Sequence, residues 1–534
     1  MVARKGSSPS PSWQRIVRLC ETNLKTKFEE ICTQVTSGDE LDRKTLKTLK
    51  TFLLDAKDSS AVDMVPKLVD FKLLTSLLSH YTATQSKNNR LILDILFTLE
   101  RSFSINLQAL KPLAFGPTSK DNYENLFKYG HALFSRMKPD NVLDLFDAKD
   151  MWFSIMNLDD SLVAVERIQN NRDRVYDPEF VLRLLFTLLE TGSEISSYKF
   201  VGCNGLGFVF ACLSLHNDKI RALAYFTLQR FLAHLNALTN EVFPERALIL
   251  YLVRTFKNSV TKQNQRLSHI ISHFFARVSK LLLNAEDPVY GPIMAFLTMK
   301  PTIDLENVPE MYKLLLSSST LHNRRERQWI LKLIAASLIE PHDYHILEKR
   351  YGMKLCLSLY GSCISDPISR DIIVNLLESC VQLPSVARDL YNRLNLHTWI
   401  ALMIQKTYLK NQEIMSLYRL FYSFLDNIRQ ICLEDIQPGS PLNISVAMKE
   451  RMAKVVGKHV IRQLSQHNEK DETGDKALLT KLEVLVETPW QIEEDPKSES
   501  SEKDDGTLLR RKRRAGEEEN GDGTKERKKK RENK

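Results

Sequence analysis

The chain has 534 residues, of which 43% are hydrophobic and 26% charged, with only 18 glycines and 19 prolines. That is the balance of a folded soluble protein built from long helices and short turns, and not that of a largely disordered chain. The formal net charge of +9 points toward polyanionic partners without naming one, and the surplus is unevenly placed.

The first residues, MVARKGSSPSPSW, are charged and lack the apolar centre of a secretory signal, so residues 1–12 read as a disordered lead. A helical-repeat region is expected over 13–290. It starts with the amphipathic segments Ile16–Val35, Asp42–Asp55, Val62–Tyr81 and Asn89–Ser102. In the last of these, Leu91, Ile92, Ile95, Leu96 and Leu99 keep the i, i+3, i+4 spacing of one helix face. Residues 114–117 (Ala-Phe-Gly-Pro) break the series. Helical signals resume over Tyr123–Arg136, and Asp140–Asp177 is less regular. Pro178 suits the first turn of another helix.

Phe200–Asn217 is the longest uncharged run. Its three glycines, Asn204 and His216 argue for a buried helix, since a bilayer span needs about 20 mostly apolar residues. The string Gly202-Cys203-Asn204-Gly205-Leu206-Gly207 has no strand before it and no phosphate-binding lysine, so it reads as a tight turn before a packed helix. After the polar break Asn217-Asp218, the stretch from Ile220 to Leu232 sets an arginine near a helix start, small alanines inside and spaced apolar residues beyond. That arrangement resembles a HEAT or armadillo repeat, a unit of about 40 residues that buries its apolar face only on its neighbours. Further pairs are Ala247–Lys257 with Gln265–Leu283, and Ile293–Met299 with Pro309–Leu316.

In the stretch 317–360, Asn323 and Glu326 have the spacing of a helix-starting capping box, and Ile330, Leu333, Ile334 and Leu338 form a stripe that must be buried. Pro341 is expected to stop this helix. A second should begin near Asp343 and end at Gly352. Pro367–Val381, Ser385–Arg393, Leu396–Tyr408 and Asn411–Gln430 continue the series. Past the Pro-Gly-Ser-Pro break at 438–441 come a basic helix over Ser445–Gln466, with Lys449, Arg451, Lys454, Lys458 and Arg462, and a short one over Leu478–Val486.

The string LLLSSSTLHNRRERQWILKLI, followed by DYHILEKR and LSLYGS, resembles the C-terminal domain of the nucleolar pre-ribosomal-associated protein 1 family over about residues 300–410. The family's members are several times longer, so the chain resembles only their C-terminal part. The resemblance implies an all-α fold and a place in nucleolar assembly of the large ribosomal subunit. The partners it implies are pre-rRNA within pre-60S particles, other assembly factors with helical repeats, and a DEAD-box RNA helicase.

From residue 493 the chain turns highly charged. Seven acids lie within Glu493–Asp505, and two basic clusters follow, Arg510-Arg511-Lys512-Arg513-Arg514 and Arg527-Lys528-Lys529-Lys530-Arg531. With almost no apolar surface to bury, 493–534 is expected to stay disordered. The basic clusters fit a nuclear or nucleolar address and can bind RNA phosphates without reading sequence. A merely solvated charge run is the alternative.

Arg324, Arg325 and Arg327 oppose the dipole at their helix start, which suggests an acidic or nucleic-acid partner; pairing with Glu326 and nearby acids is the other reading. Trp329 suits the core better than a base-stacking platform. His269 and His273 stand i, i+4 as metal ligands do, but HIISH lacks the glutamate of a zinc-protease helix; His342 and His345 are no better placed. Eight cysteines, at 20, 32, 203, 212, 356, 363, 380 and 432, form no CxxC pair and read as reduced, buried thiols.

The expected architecture is an all-α, HEAT/armadillo-like solenoid of stacked helix pairs with a disordered charged tail. Its parts are the lead (1–12), the repeat region (13–290), the family-like region (291–437), terminal helices (438–492) and the tail (493–534). The expected function is a non-enzymatic nucleolar scaffold for large-subunit assembly and rRNA processing, with no cofactor, no metal and no membrane. The alternatives are a HEAT-type scaffold in nuclear transport or chromatin, and a helical metal-dependent hydrolase using His269 and His273.

Overall fold

Short polar side chains start the helices. Asp147 caps one helix by accepting the backbone N–H groups of Lys149 and Asp150 at 2.7 and 2.9 Å. Asp177, Ser196, Asn217 and Asp366 do the same for Glu179, Lys199, Lys219 and Ser369. Each satisfies a donor that a helix start would otherwise leave unpaired. Pro178, Pro341, Pro367 and Pro384 occupy the first turn, where no N–H is needed.

The computed structural model describes residues 25–36, 41–57, 65–105, 115–116, 119, 138–158, 173–307, 315, 322–406, 409–434, 442–470 and 476–490. Among them the fold is all-α, apart from one isolated antiparallel bridge between Thr84 and Tyr176. After the helix over 25–36 come α1 (Arg43–Lys57), α2 (Phe71–His80), α3 (Lys87–Phe103), α4 (Ala148–Asn157), α5 (Pro178–Leu188), α6 (Ser197–Gly202) and α7 (Gly205–Cys212). Next are α8 (Asp218–Ala237), α9 (Arg246–Ser259), α10 (His269–Leu281), α11 (Tyr290–Thr298), α12 (Asn323–Ser337), α13 (Pro341–Glu348) and α14 (Gly352–Tyr360). The series closes with α15 (Pro367–Val381), α16 (Pro384–Asn392), α17 (Leu396–Ile404), α18 (Asn411–Glu434), α19 (Leu442–Lys470) and α20 (Lys476–Glu487). Shorter helical turns stand at Val65–Leu68 and Pro139–Leu143.

A central row runs through the array, in which α4 packs on α7, α7 on α10, α10 on α12, α12 on α15, α15 on α18 and α18 on α20. Flanking helices attach to it locally: α5 to α8, α8 to α9, α16 to α18, and α17 to both α18 and α19. Each layer is thus covered by the layers next to it, as stacked helix pairs require. The row follows from the side chains. Every residue of α7, Gly-Leu-Gly-Phe-Val-Phe-Ala-Cys, is buried, and Phe210 stacks on Phe275 of α10 with ring centroids 5.1 Å apart. Burying a Phe contributes about 1.5–3 kcal/mol.

The glycines of this segment serve the packing. A Cβ at Gly205 would stand 2.8 Å from the Phe200 carbonyl oxygen, and one at Gly207 would stand 3.1 Å from Ile155 of α4. The longest uncharged run therefore has a fully buried helix, α7, at its centre, and no helix among the described residues is long and apolar enough to cross a membrane.

Several sequence expectations are corrected. Val62–Tyr81 is divided, because Asp70 is extended and caps a separate α2. Asn323 is not a cap. It is the first helical residue of α12, His322 precedes it as the cap, and the Asn323–Glu326 box does not form. Gly352 does not end a helix but starts α14, after Glu348 has ended α13. A Cβ there would lie 2.2 Å from Leu347 Cδ1, so glycine lets α14 turn back against α13 with Leu347 in place. Tyr123–Arg136, most of Pro309–Leu316 and the tail lie outside the described residues.

Candidate interaction surfaces

The basic start of α12 divides into two parts. Arg324 and Arg325 are exposed, whereas Glu326 and Arg327 are buried, at 4% and 5% exposure. Arg327 therefore does not belong to a docking surface. It lies in register with Ile330, Leu331 and Ile334 on the packed side of the helix and donates from Nη2 to Asn323 Oδ1 at 3.1 Å. Trp329 is half-buried and packs against the core.

Two other arginines explain this position. Arg221, four residues after the cap Asn217, donates from Nη1 to the Leu215 carbonyl at 2.8 Å and from Nε to the Asn264 carbonyl at 2.9 Å. Arg370, four residues after the cap Asp366, donates to the Ser365 carbonyl at 2.7 Å and to Glu413 Oε1 at 2.8 Å. A buried arginine near a helix start thus fastens the preceding turn to the adjacent layer. The arginine near a helix start that marks a repeat in the sequence is this fastener.

Behind these turns lies a polar junction linking three parts of the chain that are distant in sequence. Glu340 Oε1 accepts from Arg266 Nη2 at 2.6 Å and is 2.7 Å from His216 Nε2. Arg266 Nε donates to the Ser214 carbonyl at 2.6 Å. Asp343 Oδ2 is 2.9 Å from His269 Nδ1 and accepts the Glu340 backbone N–H at 3.1 Å. Burial acts to raise both carboxyl pKa values, but the surrounding donors outweigh it. His269 holds Asp343 below the usual carboxylate range, and Arg266, His269 and His216 do the same for Glu340.

The two histidines considered as metal ligands are engaged within this packing. His269 faces Asp343, and His273 Nδ1 is 3.2 Å from Ser337 Oγ. Burial first, then the charges of His269 and Arg277, push His273 down to about 3. His342 and His345 are exposed. Among the described residues no three His, Cys, Asp or Glu side chains are grouped to hold a metal ion.

On the outer side, α8, α9 and the following loop enclose an open groove of about 720 Å³. Tyr225, Leu232, Val253 and Phe256 line it, Phe226 stands 57% exposed beside it, and Lys257 and Lys262 mark its rim. Nothing in the sequence pattern marks this groove, because its walls come from two helices that each read as ordinary amphipathic segments.

None of the described cysteines forms a disulfide. Cys212, Cys356, Cys380 and Cys432 are buried, and burial pushes Cys356 up to about 12. Cys363 departs from the expectation of buried thiols. It is exposed in the turn between α14 and α15. Arg510–Arg514 and Arg527–Arg531 lie outside the described residues.

Residues 206–399 match the family model described as nucleolar pre-ribosomal-associated protein 1. The match begins well before the 300–410 stretch that carries the resemblance in the sequence, and it runs from α7 to the first turn of α17, including the polar junction. Over 388 residues, 70% of this chain, the sequence is 24% identical to nucleolar pre-ribosomal-associated protein 1 of Mus musculus. Over 375 residues, 68% of the chain, it is 23% identical to the Homo sapiens protein of the same name. These alignments cover 17% and 16% of the two relatives, so the chain spans about a sixth of the length of the curated relatives it matches. Through residues 206–399, the chain is similar to the nucleolar pre-ribosomal-associated protein 1 family.

Proposed function

We propose that the chain acts as a nucleolar scaffold in early assembly of the large ribosomal subunit and in rRNA processing, holding other molecules without transforming them. The observation that carries this reading is the family match over 206–399, borne by a row of stacked helices. Arrays of this kind offer long surfaces to partners. The relatives' name, nucleolar pre-ribosomal-associated protein, supplies the setting.

In this reading the partners are pre-rRNA within pre-60S particles, other helical-repeat assembly factors and a DEAD-box helicase. The exposed pair Arg324 and Arg325 meets RNA phosphates or an acidic protein face, while Arg327 fastens the helix from inside. The clusters at 510–514 and 527–531 carry the chain to the nucleus and add sequence-independent affinity for RNA.

Crosslinking the full chain to RNA in cells, then sequencing the attached fragments, tests the proposal. Enrichment of large-subunit precursor sequences is the expected result. Attachment to mRNA or tRNA alone would refute it, and a chain that stays in the cytoplasm with its tail intact would refute the nucleolar setting.

A further inference from the structure

The longest helix among the described residues, α19, has 29 residues and buries one side. Val446, Ala453, Val460 and Leu464 are buried, at 0–3% exposure, toward α17, α18 and α20. At 100° per residue the opposite side holds Met448, Met452 and Val455, spaced i, i+4, i+7 and exposed at 67%, 46% and 71%. Arg451, Lys458 and Arg462 are exposed in the same sector, roughly 120° wide. Glu450 is the one acid between Val446 and His467, and it is paired off to the side with Lys454 at 2.6 Å.

We propose that this outward face of α19 is a docking surface for an acidic amphipathic helix of another protein. The surface makes two demands together. Three adjacent apolar side chains require an apolar counterpart, and three cations without an acid among them require carboxylates. An amphipathic helix with apolar residues at i, i+4 and i+7 and Asp or Glu on both flanks meets both. Two methionines in the stripe suit this, since their flexible thioethers adapt to a facing helix.

Other occupants meet only one demand. RNA would neutralise Arg451, Lys458 and Arg462 but leave Met448, Met452 and Val455 against a polar backbone. The chain's own segment Glu493–Asp505 has seven acids but no large apolar residue. The surface lies outside residues 206–399, so the inference stands or falls independently of the ribosomal reading.

The test uses the full chain and a fluorescent synthetic peptide of about 18 residues, long enough for several helical turns, with leucines at i, i+4 and i+7 between glutamates. Its controls are a scrambled peptide of the same composition, an RNA oligonucleotide of mixed sequence, and a peptide of residues 491–506. Anisotropy should show the amphipathic peptide binding at least about tenfold tighter than its scramble. The variant Met452→Ser/Val455→Ser and, separately, Lys458→Ala should each weaken it by about tenfold, with unchanged circular dichroism. Equal affinity for the scramble would overturn the proposal. So would binding that responds to Lys458→Ala but not to the Met452/Val455 variant, as RNA would give. A dimer abolished by Met452→Ser, or preference for the 491–506 peptide, would overturn it in favour of a second copy or of the chain itself.

Discussion

Asp343 uses both carboxylate oxygens on His269. Oδ1 accepts the His269 backbone N–H and Oδ2 faces its Nδ1, each at 2.9 Å. Oδ2 also accepts the Glu340 backbone N–H, so one carboxylate serves the first turns of both α10 and α13. Both helix starts carry partial positive charge, which favours an anion between them.

Asp343→Ala should therefore cost about 3 kcal/mol, because it leaves a buried imidazole and two helix-start N–H groups without their acceptor. Urea unfolding of the full chain measures it. A shift under about 1 kcal/mol would show the junction to be dispensable.

Acid should loosen the array through His273. Its folded pKa, about 3, lies below its ordinary value of 6.5, so the unfolded chain takes up the proton first. The neutral buried ring is free of this cost above pH 6.5. Stability then falls by about 1.4 kcal/mol per pH unit as pH drops from there toward the folded value. Asp343 and Glu340, both depressed, add their loss only further down, as pH falls below the unfolded carboxylate range and through their folded values. His273→Phe should reduce the slope between pH 6.5 and 5, as read from urea midpoints, while His397, which burial pushes down to about 4, keeps its own share; equal slopes would remove His273 from the account.

The arginines should divide by depth. Arg370→Ala should cost about 3 kcal/mol, since Glu413 Oε1 and the Ser365 carbonyl lose the buried guanidinium that they accept from. Arg324→Ala with Arg325→Ala should leave stability within about 0.5 kcal/mol and weaken RNA binding, with a shallower salt dependence. Calorimetry and filter binding separate the two effects.

Gly352→Ala should destabilise the α13–α14 turn by about 1–3 kcal/mol, because the new Cβ falls on Leu347. Adding Leu347→Ala should recover part of the loss, which a double-mutant cycle reads as coupling between the two positions.

Much of the array was legible in local pattern. Apolar spacing placed α3, α15, α19 and α20 to within a few residues, and proline and Asx signals marked several starts. Asn323, Gly352 and Arg327 are residue types with strong local habits, and each is used otherwise: Asn323 inside α12, where its Oδ1 accepts from Arg327, Gly352 against Leu347 at the start of α14, and Arg327 on the buried side of its helix. The His269–Asp343 pair joins positions 74 apart in sequence, and no periodicity reports such a meeting. The outward face of α19 was half visible. Its cations stood out in the sequence, but its apolar stripe acquired meaning only when the buried side was known.

The central row from α4 to α20 has a mechanical consequence. Strain applied at either end passes from layer to layer, since neighbouring helices carry the contacts. Such an array can flex like a leaf spring, with many small adjustments of angle adding up to a large displacement of its tips. In the proposed scaffold, molecules gripped at separate points along it would then shift relative to one another while every individual grip holds.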